Sequence, residues 1–232
     1  FDAAGNPSAA STSTDNTVTY DTGAPTVTIN KAVGQADPTN TSPINFTVVF
    51  NKPILPATFT NGDVVLSGTA GATTAVVTGS GTTYNVAVTG MASSGTVVAT
   101  LPAGRVQDSA GNSNIASTST DNSVQYDTTD PTVTVEQAAL QNDPTNTSPV
   151  NFTVEFSEPV LGFNSTDITL GGTAGATNAT VTGSGPVYNV AVTGMVTDGT
   201  ITVTVNAGVA TDTVGNPNAA STSNDNEVTY NT

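Results

Sequence analysis

The chain has 232 residues and contains no Cys, His or Trp; its 18 acids and 3 bases give a formal charge of −15. Without Cys there are no disulfides or thiolate metal sites, and without Cys or His there is no Ser–His or Cys–His pair for nucleophilic catalysis. The charge excludes a basic groove for nucleic acid, and no apolar run approaches the ~18 residues of a membrane-spanning helix.

Along the chain, residues 1–22 carry Ala4-Gly-Asn-Pro7, Ala10-Ser-Thr-Ser-Thr-Asp-Asn16 and Val18-Thr-Tyr20. The same pattern returns at Ala110–Tyr126 and at Val214–Tyr230. Residues 1–22 therefore read as the tail of a preceding repeat, one loop and one closing strand, and the chain reads as a window cut from a longer array. Two full copies follow. Asp37-Pro-Thr-Asn-Thr-Ser-Pro-Ile-Asn-Phe-Thr-Val48 returns 106 residues later as Asp143–Val154, and Tyr84–Met91 returns 104 residues later as Tyr188–Met195. A period of this length is that of a whole small domain rather than a solenoid unit. The expected division is 1–22, 23–128 and 129–232.

The first full copy predicts seven strands, at about residues 25–32, 44–51, 63–67, 73–79, 83–89, 96–101 and 123–127, set apart by Gly, Pro, Asn and Asp clusters. Ile44, Phe46, Val48 and Phe50 alternate with Asn45, Thr47 and Asn51, the period of an antiparallel strand with one face on a core. No segment of about ten residues carries a helical period. The expectation is all-β: tandem seven-stranded antiparallel sandwiches with essentially no helix. The expected core aromatics are Phe46, Phe50, Tyr84 and Tyr126, with counterparts Phe152, Phe156, Tyr188 and Tyr230.

Four further motifs carry a resemblance. They are Asp127-Thr-Thr-Asp-Pro-Thr-Val133, Phe156-Ser-Glu-Pro-Val160, Gly162-Phe163 with Asp167-Ile168, and Asp212-Thr-Val-Gly-Asn216. In this order they resemble the bacterial Ig-like repeats of giant cell-surface adhesins, of the biofilm-associated and repeats-in-toxin extender type. The resemblance implies an Ig-like sandwich, a cell-surface or extracellular location, and calcium at domain junctions. It implies no particular ligand.

In a sandwich entered at one pole and left at the other, the loops after the second, fourth and sixth strands share the N-terminal pole. Glu158, Asp167, Asp212 and the linker residues Asp127 and Asp130 then converge. Clustered carboxylates repel one another unless a cation joins them, and Ca²⁺ suits an all-oxygen set. A solvated acidic pole without an ion is the plainer alternative. In the first copy Lys52 replaces Glu158 and Ala24 replaces Asp130, while Asp21, Asp63 and Asp108 remain. Lys52 is expected to supply the charge of the ion there, leaving a weak or lost site; a solvent-facing Lys52 is the alternative. The charge division agrees: residues 1–126 hold 7 acids and all 3 bases, net −4, and residues 127–232 hold 11 acids and no base, net −11. Asp37 and Asp143 fall at the opposite pole, as turn formers or as ligands at a following junction. Asp21-Thr-Gly23 imitates an aspartic-protease triplet, but its counterpart is Asp127-Thr-Thr129 in a linker, so no catalytic dyad is expected.

These readings predict a non-enzymatic extender or stalk segment, stiffened by calcium, whose partners are like repeats in the same chain. Neighbouring copies in a filament or sheath are one alternative. A ligand-binding adhesin module built on the divergent stretch Lys52–Gly62 against Glu158–Thr166 is the other.

Overall fold

The computed structural model describes all 232 residues. The first seven strands are β1 (Val27–Lys31), β2 (Ile44–Phe50), β3 (Val65–Ser67), β4 (Thr74–Ser80), β5 (Thr83–Thr89), β6 (Gly95–Thr100) and β7 (Ser123–Tyr126). Their counterparts are β8 (Val133–Gln137), β9 (Val150–Phe156), β10 (Ile168–Gly171), β11 (Asn178–Ser184), β12 (Val187–Thr193), β13 (Gly199–Val205) and β14 (Glu227–Tyr230). The only helical pieces are three single 3-10 turns, Pro56–Thr58, Asn61–Asp63 and Ser165–Asp167.

Each set of seven forms two antiparallel sheets. The order is β1-β2-β5-β4 with β3-β6-β7, and β8-β9-β12-β11 with β10-β13-β14. Period-two alternation explains why they stack. Ile44, Phe46 and Val48 are fully buried, and so are Val97, Ala99 and Val124 from the opposite sheet, all in one core. The second core draws likewise on Phe152 and Val154, and on Ile201, Val203 and Val228. The two cores share no residue.

The long connection between β6 and β7 closes the open flank. Thr118 bridges Thr28 in parallel, and the Lys31 N–H donates to the Asp121 carbonyl. Thr222 and Thr134 repeat this bridge in the second unit.

One sequence expectation is corrected. Tyr126 and Tyr230 are half-buried at the rim rather than in the core, because each ends the last strand of its sheet. Phe59 and Phe163 are buried instead. Phe59 packs edge-to-face on Phe50 and Tyr84, with ring centroids 5.6 and 5.1 Å away; Phe163 does the same with Phe156 and Tyr188, at 5.1 and 5.0 Å. Residues 1–22 form no strand, and Val18 and Tyr20 are exposed. A strand needs a neighbour, and β7 and β14 each have one in β6 or β13 that residues 1–22 lack.

Candidate metal centre

The loop after β9 and the loop after β13 are stitched together. The Leu161 N–H donates to the Thr211 carbonyl at 2.7 Å and the Thr211 N–H returns to Leu161 at 3.1 Å. Phe163 anchors the first of these loops in the core. Glu158 and Asp212 are thereby brought to one place. The linker supplies Asp127, the residue directly after β7. Each of the three offers a carboxylate oxygen within 4.8 Å of the other two.

Asp212 is built as an anion. It is 1% exposed. Its Oδ1 accepts the N–H groups of Val214, Gly215 and Asn216, and Oδ2 accepts Asn216 Nδ2 at 2.8 Å. Burial works to raise its pKa, but these hydrogen bonds outweigh it and hold the carboxyl below the usual range. Gly215 makes the turn possible: at φ +98° it sits in the left-handed region that a side chain would strain. Glu158 is the opposite case. It is half-buried and accepts no hydrogen bond from the protein, and burial pushes its carboxyl up, with Asp212 and Asp127 adding to the rise. Two carboxyl neighbours and no cationic side chain leave it electrostatically unsatisfied.

The first unit has the same construction with a different charge at its centre. Lys52 Nζ donates to Asp21 Oδ2 at 2.9 Å, to the Gly23 carbonyl, and to Asp108 Oδ2 at 3.1 Å. Asp21, Lys52 and Asp108 are the counterparts of Asp127, Glu158 and Asp212. The Asp21 hydrogen bond does most to raise the Lys52 pKa. Asp108 is 1% exposed, and although burial alone raises it, Asn112, Lys52 and the Ala110 N–H bring its pKa to about 2. Lys52 therefore does not face solvent.

Three expected residues are absent from these clusters, Asp167 and Asp130 in the second unit and Asp63 in the first. Asp167 Oδ2 accepts the Asn164 N–H at 2.7 Å, completing a capping box on the turn Ser165–Asp167. Asp63 does the same for Thr60. Asp130 lies exposed in the linker, away from the three clustered carboxylates. At the other pole, Asp37 Oδ1 accepts the Gln125 N–H and its Oδ2 pairs with Lys31 at 3.0 Å, while Asp143 Oδ1 accepts the Thr229 N–H. Both acids tie the first loop of their unit to its closing strand. Asp21 shares the Lys52 ammonium with Asp108.

Sequence reasoning missed the asparagines. Asn216 Nδ2 donates to the Asp127 carbonyl at 3.1 Å, and its Oδ1 accepts Asn40 Nδ2 from the first unit at 3.2 Å. Asn112 binds the Asp21 carbonyl in the same way, at 3.0 Å. Asn114 and Asn218 are buried, and each makes four hydrogen bonds that lock the loop before the closing strand. The recurrence of Gly-Asn-x-Asn at 111–114 and 215–218 was the signal.

Residues 127–230 match the family model of a bacterial Ig-like domain. Among solved structures, the N-terminal part of the bacterial S-layer protein SbsC is similar over 87% of this chain and 44% of its own, at 18% identity and a TM-score of 0.30. This chain thus spans less than half the length of that structure. No curated protein matches the chain.

Proposed function

We propose that this chain is a non-catalytic structural extender of a large repetitive extracellular or cell-surface protein, stiffened by calcium at the junction between its two units. One observation carries the reading. Asp127, Glu158 and Asp212 hold their oxygens within 4.8 Å with no cationic side chain among them, while the same three positions in the first unit hold an ammonium paired to both carboxylates. The carboxylates at this point of the fold are offset by a cationic side chain in one unit and have none to offset them in the other.

Asp127, Glu158 and Asp212 would hold the ion, which supplies there the positive charge that Lys52 supplies in the first unit. The location gives the charge a mechanical role. Asp127 directly follows the last strand of the first unit, and its Oδ1 also accepts from Ser94 Oγ of that unit at 3.2 Å. Glu158 and Asp212 belong to loops of the second. Joining them ties the linker to the following sandwich and narrows the hinge. Two features favour an extender over the alternatives. Phe59 and Phe163, the aromatics of the divergent loop, are in the core and leave no aromatic patch for a ligand. The open sheet edges are blunted, since the Val77 N–H on β4 is taken by Asn61 Oδ1 and the Val181 N–H on β11 by Ser165 Oγ.

Calorimetric titration of the full chain with Ca²⁺ tests the reading. The wild type is expected to bind about one ion per chain, Glu158→Lys none, and Lys52→Glu about two, following the carboxylate count each pole offers. Undiminished binding by Glu158→Lys would place any calcium elsewhere and remove the junction role.

A further inference from the structure

Asn61 is the only asparagine of the chain that a glycine follows. Asn61 and Gly62 open the 3-10 turn Asn61–Asp63, and both are exposed. The Gly62 N–H donates to no other group of the protein. Around Gly62 there is open space, since a side chain there would meet only Thr60 Oγ1, at 4.0 Å. Asparagine is a thermolabile residue because its amide carbon can be attacked by the next main-chain nitrogen. The side chain of that next residue normally obstructs the attack, and glycine has none.

The amide oxygen is also held. Asn61 Oδ1 accepts the Val77 N–H from the edge of β4 at 2.8 Å. That N–H faces the oxygen on which negative charge builds when a nucleophile adds to the amide, the arrangement of an oxyanion donor. The same bond latches the turn to the edge strand. In the second unit Ser165 Oγ takes the Val181 N–H at 2.9 Å, and Thr166 follows it. That latch contains no amide. Asn216, at the candidate metal centre, precedes Pro217, whose nitrogen carries no hydrogen and cannot attack.

We propose that Asn61-Gly62 is a site of spontaneous deamidation, and that its isoaspartyl product releases the β4 edge of the first unit. The Gly62 nitrogen loses its proton to solvent base and bonds to the Asn61 side-chain carbonyl carbon. The carbon–nitrogen bond of the amide breaks, and the amino group takes a proton from water and leaves as ammonia. Water then opens the cyclic imide. Addition at the side-chain carbonyl gives aspartate, which still offers Val77 an oxygen. Addition at the main-chain carbonyl gives isoaspartate. The main chain then runs through the former side chain, is one carbon longer, and withdraws the acceptor from Val77. The first unit thus carries a latch that fails with age, and the second carries one that does not.

The full chain, aged in mildly alkaline buffer and mapped by peptide mass spectrometry, tests this. The peptide holding Asn61 should gain the mass of an amide-to-acid conversion ahead of every other asparagine peptide, and resolve into aspartyl and isoaspartyl forms. Gly62→Ala, which the open space admits, should slow the change severalfold. Asn61→Ser, the arrangement of the second unit, should abolish it. In hydrogen exchange, the Val77 amide should lose protection in the isoaspartyl fraction and in Asn61→Ala, and keep it in Asn61→Ser. An Asn61 peptide still intact after other asparagines have converted overturns the site, and so does equal conversion in Gly62→Ala. Unchanged protection of Val77 in the isoaspartyl fraction overturns the release.

Discussion

At position 52 and its counterpart 158, the same backbone place carries an ammonium in one unit and a carboxylate in the other, and the surroundings respond in opposite directions. Lys52 is raised and its partners Asp21 and Asp108 are lowered, the mark of a satisfied cluster. Glu158 is raised, the mark of an unsatisfied one. The sign for stability follows from linkage. A carboxyl whose folded pKa lies above its unfolded value of ~4.3 contributes stability below that value and loses it as pH rises through the folded value. Ionised Glu158 therefore costs the calcium-free protein stability at neutral pH. Glu158→Gln should melt at a higher temperature than the wild type in chelator at pH 7, with the gap closing as the pH falls toward 4. A lower melting temperature for Glu158→Gln would mean that the three carboxylates do not repel. Asp108 runs the other way. Its stabilising contribution is present above ~3.9 and is lost as pH falls toward its folded pKa of about 2.

At the scale of elements, the strands were legible because a buried face writes itself in period two. The predicted 44–51, 83–89 and 123–127 correspond to Ile44–Phe50, Thr83–Thr89 and Ser123–Tyr126. The site was legible only in part. Topology says which loops share a pole but not which way a side chain points. Asp167 and Asp63 lie at the correct pole, yet each caps a turn three residues upstream, a short-range bond made with no loop closure. Asn164-x-x-Asp167 and Thr60-x-x-Asp63 read as capping boxes once the 3-10 turns are known. The loop-locking asparagines are the least legible, since Asn in a Gly-rich loop reads as a turn former. Their weight is testable. Asn114 is 2% exposed and satisfies the Arg105 and Val106 N–H groups and the Pro102 and Ile115 carbonyls. Asn114→Ala leaves several of these groups unmet, at ~1–3 kcal/mol for each one that water does not reach. Denaturant unfolding should show a loss of ~2 kcal/mol or more, and a loss below ~0.5 kcal/mol would show that water replaces the amide.

At the scale of the molecule, two cores with no common residue leave the junction to decide how the units are held relative to each other. Direct ties across it are few: the Asn40–Asn216 hydrogen bond, the bond from Asn216 to the Asp127 carbonyl, and the contact of Ser94 with Thr129. The Asp127 N–H also donates to the Thr39 carbonyl, which fastens the start of the linker to the first unit. On the proposed reading, an ion held by the carboxylate cluster at that point limits the swing of the second unit about the linker. Small-angle scattering of the full chain in calcium and again in chelator tests this most directly. The account predicts a narrow, extended distance distribution in calcium that broadens and shortens when calcium is removed, and no such change in Glu158→Lys, whose ammonium replaces the ion. Superimposable wild-type curves in the two conditions would contradict it.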